Sequence, residues 1–378
     1  MLTAAGPRAH ILSLSCLNGS CRASAKPDSP NRAWNRRRTL PVVLAPALVR
    51  TARVSRRAIQ GDAANRARRL QGADLKAELQ RRRGLVSQLR ASALQDDAAE
   101  AFDDLGVALL ATGEKAQAVE AEAAFRQSLE ICRRRALDAD SLWAANNLAV
   151  ALKAQGESRY GEALELYQEI LQARLRNDPR EEDPSTLTSM NNLGVLLKKQ
   201  GKVVEAEQFY RRALARRRAV LGNLDPDTLT SINNLAVLLS TTKTQEAEEL
   251  FAEALAGCRA VLGATDMDTL LSADNLAALL YQKGRPSEAE PLFREAALGF
   301  ATLLGSRDPE TLRSQDNLAV TLLELGRLDE AEVLLRSTVE GFIAIRGADH
   351  PDTAVAQENL RAVLEAKEAR NREGMSTV

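Results

Sequence analysis

Six times along this chain an asparagine stands directly before a leucine and behind a second polar residue. The pairs are Asn146-Asn147, Asn191-Asn192, Asn233-Asn234, Asp274-Asn275, Asp316-Asn317 and Glu358-Asn359. A carboxamide both donates and accepts hydrogen bonds. The asparagine next to the leucine therefore has two uses: satisfying polar groups between packed helices, or holding the backbone of a bound peptide. The residue before it, in the series Asn146, Asn191, Asn233, Asp274, Asp316 and Glu358, is expected to point more fully into an open groove. One turn further lie Val150, Val195, Val237, Ala278 and Val320, then Lys153, Lys198, Lys199, Ser240, Tyr281 and Glu324. Amides and lysines gather toward the N-terminal side, carboxylates toward the C-terminal side. Such a surface suits an extended or helical segment that is acidic toward one end and basic toward the other. The competing reading is a solvated helix face whose charges serve solubility alone. Trp143 either begins the groove as an aromatic contact or packs between the first units.

Catalysis has little material here. There are two histidines, His10 and His350, and no phosphate-binding GxxxxGK[ST] loop, GxSxG elbow or HExxH helix. The four cysteines, at 16, 21, 132 and 258, have neither disulfide-framework nor zinc-site spacing. Cys132 and Cys258 read as small packing residues. Aromatic residues are 3% of the chain, too few for a large aromatic-lined pocket. The expectation is a non-enzymatic protein with no cofactor and no metal.

The elements that position these residues follow from a period. The leucine after each polar pair falls at Leu148, Leu193, Leu235, Leu276, Leu318 and Leu360, preceded by Leu105 in the same register. The steps are 43, 45, 42, 41, 42 and 42 residues. A period of this length means stacked helical units and not one globular core. Each unit predicts two helices. Helix A opens at Asp225-Pro226, Asp183-Pro184, Asp308-Pro309 or His350-Pro351. There the carboxylate caps free amides and the proline lacks an N–H that would be unpaired in any case. His350, in the register of the aspartates, reads as a turn or cap residue. Helix A stops at Gly113, Gly156, Gly201, Gly284 or Gly326. The fourth unit has Lys243 there, which predicts a looser turn. Helix B carries EAEQFYRRAL at Glu205–Leu214, EAEELFAEAL at Glu246–Leu255 and EAEPLFREAA at Glu288–Ala297. Its alanines let helices approach, its aromatics fill the space beside them, and Pro291 is expected in its first turn or at a kink. A Leu-Gly pair closes each unit, and SRYGEA at Ser158–Ala163 adds length in the second.

The alternation of NNLAVLL, a turn glycine, EAExxF and LGxxDPDTL resembles the tetratricopeptide repeats of kinesin light chains and related long-helix proteins. It covers roughly residues 98–372, about six helical pairs and a final helix. The resemblance implies an all-α, right-handed superhelix (an α-solenoid) whose A helices line a concave, peptide-binding side. Some members of that family use helix-A asparagines to hold a peptide backbone. Kinesin light chains also carry a long N-terminal heptad region, for which only residues 73–97 stand in here.

The flanks differ from the repeats. Residues 1–60 hold eleven basic side chains and one acidic one, so the remainder of this net-neutral chain carries a net charge of −10. An acidic repeat body argues against nucleic acid as partner. Rich in Arg, Ser, Ala and Pro, the first 60 residues read as a disordered basic leader with the composition of a transit peptide. Chloroplast is favoured; mitochondrion or cytoplasm are the alternatives. The apolar stretch Leu40–Val49 is too short to span a bilayer. Residues 61–97 form a linker and an amphipathic helix, expected to pack on the first repeat or to support weak self-association. Arg81, Arg82 and Arg83 are expected on its solvated face, and residues 373–378 as a disordered tail. The functional expectation is a protein-interaction scaffold or adaptor inside an organelle, holding a peptide or helical segment in its groove. The alternative is a cytoplasmic cargo adaptor of the kinesin-light-chain kind.

Overall fold

The computed structural model describes residues 73–91, 98–110, 112, 115–134 and 138–376. The leader and the turn at Gly113 lie outside these residues. All regular secondary structure among them is helical. The chain divides into two bodies after Lys202, between two helices that the repeat pattern makes one pair.

The first body contains α1 (Ala73–Ala91), α2 (Ala98–Leu110), α3 (Lys115–Arg134), α4 (Asp138–Gln155), α5 (Tyr160–Asn177) and α6 (Pro184–Lys199). Each helix packs on the next, and α2 also meets α4. Phe125 and Tyr167 are its largest fully buried side chains. The extra length of the second unit is a single 3-10 turn, Glu157–Arg159, between α4 and α5. Helix α1 buries Leu79 and Val86 within this body. Arg82 donates to the carbonyl of Asp104 at 2.6 Å, and Arg83 Nε donates to Glu120 at 2.6 Å. These two arginines fasten α1 to α2 and α3; Arg82 is a correction to the solvated face expected for it, while Arg81 and Arg83 are exposed.

The second body contains α7 (Val203–Val220), α8 (Pro226–Leu239), α9 (Thr244–Val261), α10 (Met267–Gln282), α11 (Pro286–Leu304), α12 (Pro309–Glu324), α13 (Leu328–Arg346) and α14 (Pro351–Ser376). Helix α14 runs past residue 372, so the expected tail is helical through Ser376. Successive helices pack in order, and α8, α10, α12 and α14 also meet one another in sequence.

Caps start the A helices as their sequence dictates. Asp183 accepts from the Ser185 amide at 2.7 Å, while Asp225, Asp266 and Asp308 accept from Asp227, Asp268 and Glu310 at 2.9 Å. His350 does the same with Nδ1, accepting from the Asp352 amide at 3.2 Å. The threonine of the DPDTL motif adds a second tether. Thr269, Thr311 and Thr353 donate to the carbonyls of Gly263, Gly305 and Gly347 at 2.8, 2.9 and 2.8 Å. In these three units the A helix is thereby tied to the end of the previous B helix.

Most A-to-B turns close through a left-handed glycine. At Gly284, φ is 73°, and the Arg285 amide reaches back to the Leu280 carbonyl at 3.0 Å. The fourth unit does without one. Its B helix begins nine residues after Leu235, against ten after Leu276, and Lys243 N–H closes onto the Leu239 carbonyl at 2.8 Å. The turn is thus one residue shorter, not looser, and needs no positive φ. Pro291 is the sixth residue of α11 and exposed, beyond the first turn, the first of the two places expected for it.

The B helices bury Ala206, Ala247, Ala289 and Ala331 completely, beside Tyr210, Phe251, Phe293 and Leu335. Their outer faces are joined by ion pairs, such as Arg211–Glu246 and Arg218–Glu253 at 2.7 Å and Lys243–Glu207 at 2.6 Å. These are partly exposed, so each stabilises by about 1 kcal/mol at most. The close approach of A to B depends on a glycine notch. A Cβ at Gly257, Gly299 or Gly341 would stand 2.4, 2.3 or 2.5 Å from a methyl of Leu229, Leu270 or Leu312.

Helix α14 differs from the earlier A helices on one face. Positions held by Leu229, Leu270 and Leu312 in earlier A helices carry Ala354 in α14. Those held by Ala236, Ala277 and Ala319 carry Arg361. Both replacements are exposed.

The notch gives a test. Leu270 sits in a cluster with Ala296 and Phe300 and cannot swing away freely. Gly299→Ala would gain about 1 kcal/mol of helix propensity but overpack this cluster at a cost of about 1–3 kcal/mol. The melting temperature should fall; an unchanged or higher value would refute the tight notch.

Candidate protein-binding face

The paired polar residues of the A helices meet between repeats. In the first body, Asn192 Nδ2 on α6 donates to Asn146 Oδ1 on α4 at 3.1 Å. In the second, Asn275 Nδ2 on α10 donates to Asn233 Oδ1 on α8 at 3.3 Å, and Asn359 Nδ2 on α14 donates to Asp316 Oδ2 on α12 at 2.8 Å. In these three pairs the asparagine before the leucine spans to the preceding A helix. Its acceptor is the residue that was expected to face the groove.

That expectation needs correction for four residues. Asn191, Asn233, Asp274 and Asp316 are buried, as are Val195, Val237, Ala278 and Val320. Consecutive helical residues are separated by only about 100° around the axis, and both members of these four pairs fall inside the seam between neighbouring A helices. Ser240 is buried too, its hydroxyl donating to the Val237 carbonyl at 3.0 Å.

What stays accessible is a subset. On α4, Trp143, Asn146, Val150 and Lys153 are all partly exposed. Their spacing of three, four and three places them on one helix face. Lys198 is partly exposed and Lys199 exposed at the C-terminal end of α6. In the second body Tyr281 is partly exposed, its hydroxyl 3.5 Å from a carboxylate oxygen of Glu324. Burial, with the Glu324 charge adding to it, pushes the Tyr281 phenol up to about 12. Glu324 and Glu358 are exposed.

The buried carboxyls have unusual electrostatics. Desolvation, with a smaller contribution from Asp352, pushes Asp316 up to about 8. Asp274 is also raised by burial, though the Arg313 guanidinium, 3.2 Å away, opposes the shift. Asp103 on α2 holds the corresponding position of the first unit, and burial raises its carboxyl well above the usual range. Sequence reasoning passed over Asp103 and Arg313. The register offered a signal for both: Asp103 is two residues before Leu105, and Arg313 stands where other units have Thr188, Thr230 and Leu271. Cys258 is buried, with its thiol pushed up to about 11 by desolvation, and serves as a packing residue.

Asp316 makes stability depend on pH. Its folded-state pKa lies above the unfolded value of about 4. Its contribution is therefore complete below pH ~4 and is lost as pH rises toward about 8. Asp316→Asn retains an acceptor for Asn359 and removes the titration. Melting temperatures between pH 5 and 9 should show the variant gaining on the parent as pH rises. Parallel pH profiles would refute a buried carboxyl with a raised pKa.

No helix among the described residues is long and apolar enough to cross a membrane. No curated protein matches the chain. The structure of BtubC (BKLC) from P. vanneervenii is similar in fold, with 23% identity and a TM-score of 0.52, covering 61% of this chain and 92% of that one. A Podosopora anserina protein titled as a kinesin light chain with nearly identical TPR-like repeats is 27% identical, with a TM-score of 0.47, covering 54% of this chain and 95% of that one. The tetratricopeptide repeat family model matches residues 146–219, 185–260, 227–297 and 266–344. Together these matches span more than half of the sequence, and the chain belongs to the tetratricopeptide repeat family.

Proposed function

We propose that this protein is a non-catalytic scaffold that holds an extended or helical protein segment against its A helices, inside an organelle. Its family supports protein interaction in general. The observation that carries the finer reading is the partly exposed row Trp143, Asn146, Val150 and Lys153 on α4, together with Lys198 and Lys199 in the same body. An aromatic ring, an amide, a valine and three lysines fit a segment with an apolar side chain and carboxylates. The exposed carboxylates of Glu324 and Glu358 in the second body fit a basic stretch. The organelle reading rests on the composition of residues 1–60, with chloroplast favoured. A cytoplasmic cargo adaptor is the second reading, supported by the resemblance of the repeats to those of kinesin light chains.

Two measurements test this. Reversing Lys198 and Lys199 to Glu should release the acidic segment, with the loss largest at low salt because these contacts are exposed. A pull-down whose partners survive that change, and vanish when the outer B-helix face is altered, places the site elsewhere. For location, a fluorescent fusion of the full chain should enter the organelle, and one lacking residues 1–60 should remain outside. Identical distributions would favour the cytoplasmic adaptor.

A further inference from the structure

Helix α14 is held to the preceding A helix, α12, through a carboxyl that has no counter-ion. Asp316 of α12 is fully buried. One of its oxygens accepts from Asn359 Nδ2 of α14 at 2.8 Å, and the other, also buried, has no hydrogen bond. The preceding seam shows what is missing. There the equivalent carboxyl, Asp274 of α10, meets Arg313 of α12 at 3.2 Å. Arg313 stands 39 residues after Asp274, and the residue 39 after Asp316 is Val355 of α14.

The charges around Asp316 do not replace that cation. From α14, Asp352 adds repulsion; it is itself paired with Arg346 of α13 and lies 3.7 Å from His350 Nδ1. Glu358 and Arg361 of α14 are exposed. From α10 the facing group is Asp274, and on α12 itself Arg313 turns to Asp274 and Glu310. On α11 and α13, Arg294 and Arg336 pair with Glu290, Glu330 and Glu332. A buried carboxylate without a cation is heavily penalised, so the docked helix favours the protonated acid. We propose that α14 is a proton-dependent latch: it closes over α12 and α13 while Asp316 is protonated, and it is released as that carboxyl ionises.

Release uncovers a defined surface. Thr353, Ala356, Asn359 and Val363 of α14 are fully buried, and Ala356 packs with Leu312 of α12 and Phe342 of α13. With α14 away, Leu312 and Phe342 meet water. Helix α14 packs on α12 and α13, so its release leaves α8 and α9 in place. Burial pushes the docked carboxyl up to about 8, against about 4 once water reaches it. The equilibrium constant for opening therefore rises by up to about tenfold per pH unit between these values and levels off above them.

Hydrogen exchange of the full chain between pH 5 and 9, corrected for the intrinsic exchange rate, tests this. Protection of α14 should fall by about tenfold per pH unit up to about pH 8, while that of α8 and α9 stays level. Asp316→Asn should hold the protection of α14 level across the range. Val355→Arg, which supplies the cation of the preceding seam and keeps the carboxyl, should do the same. If Asp316→Asn fails to fold, Val355→Arg compared with the parent serves in its place. The same α14 profile in parent and variant, or a loss of protection shared by α8 and α9, overturns the proposal.

Discussion

The stack depends on hydrogen bonds made where neighbouring A helices press together. In α8, every residue from Ser231 through Leu239 is buried. A polar side chain placed there loses water on all sides and must be repaid by a neighbour, since an unmet buried amide costs about 1–3 kcal/mol. Asn275 to Asn233 and Asn359 to Asp316 meet part of that demand across one repeat step, while Asn233 Nδ2 and Asp316 Oδ1 make no hydrogen bond. The same demand fixes register, because sliding one A helix past the next by a residue would separate every such pair. Apolar packing alone would tolerate more slippage.

Around that seam the other devices act locally. Aspartate or histidine caps position the starts of α6, α8, α10, α12 and α14, and in the last three a buried threonine ties the helix to the preceding glycine turn. The glycine notches allow Leu229, Leu270 and Leu312 to sit against their B helices. The outer ion pairs contribute little each, but they leave the B helices covered with matched charge.

Much of this was legible because the chain repeats itself. The 41–45 residue step, the Asp-Pro starts and the Leu-Gly ends identify the helices and their order without any coordinate. His350 could be read as a cap only because it occupies the register of Asp225 and Asp308. Sequence spacing gives the angle of a side chain around its own helix, but not how much of the circumference its neighbours cover. That is why Asn233, Asp274 and Asp316 were expected in an open groove and lie in a closed seam. The docking of Arg82 and Arg83 was hidden for a similar reason. Their partners, Asp104 and Glu120, are 22 and 37 residues away, and no periodicity links them. The division after Lys202 had no signal either, since the pattern runs through it unbroken.

The exposed face of α14 has a consequence for what could pack on it. Earlier A helices offer a leucine to the glycine notch of a B helix and an alanine seven residues on. Ala354 leaves that notch contact unfilled, and Arg361 places a guanidinium where burial without a partner is penalised. A B helix of the kind found earlier in the array would therefore gain little by seating on this face.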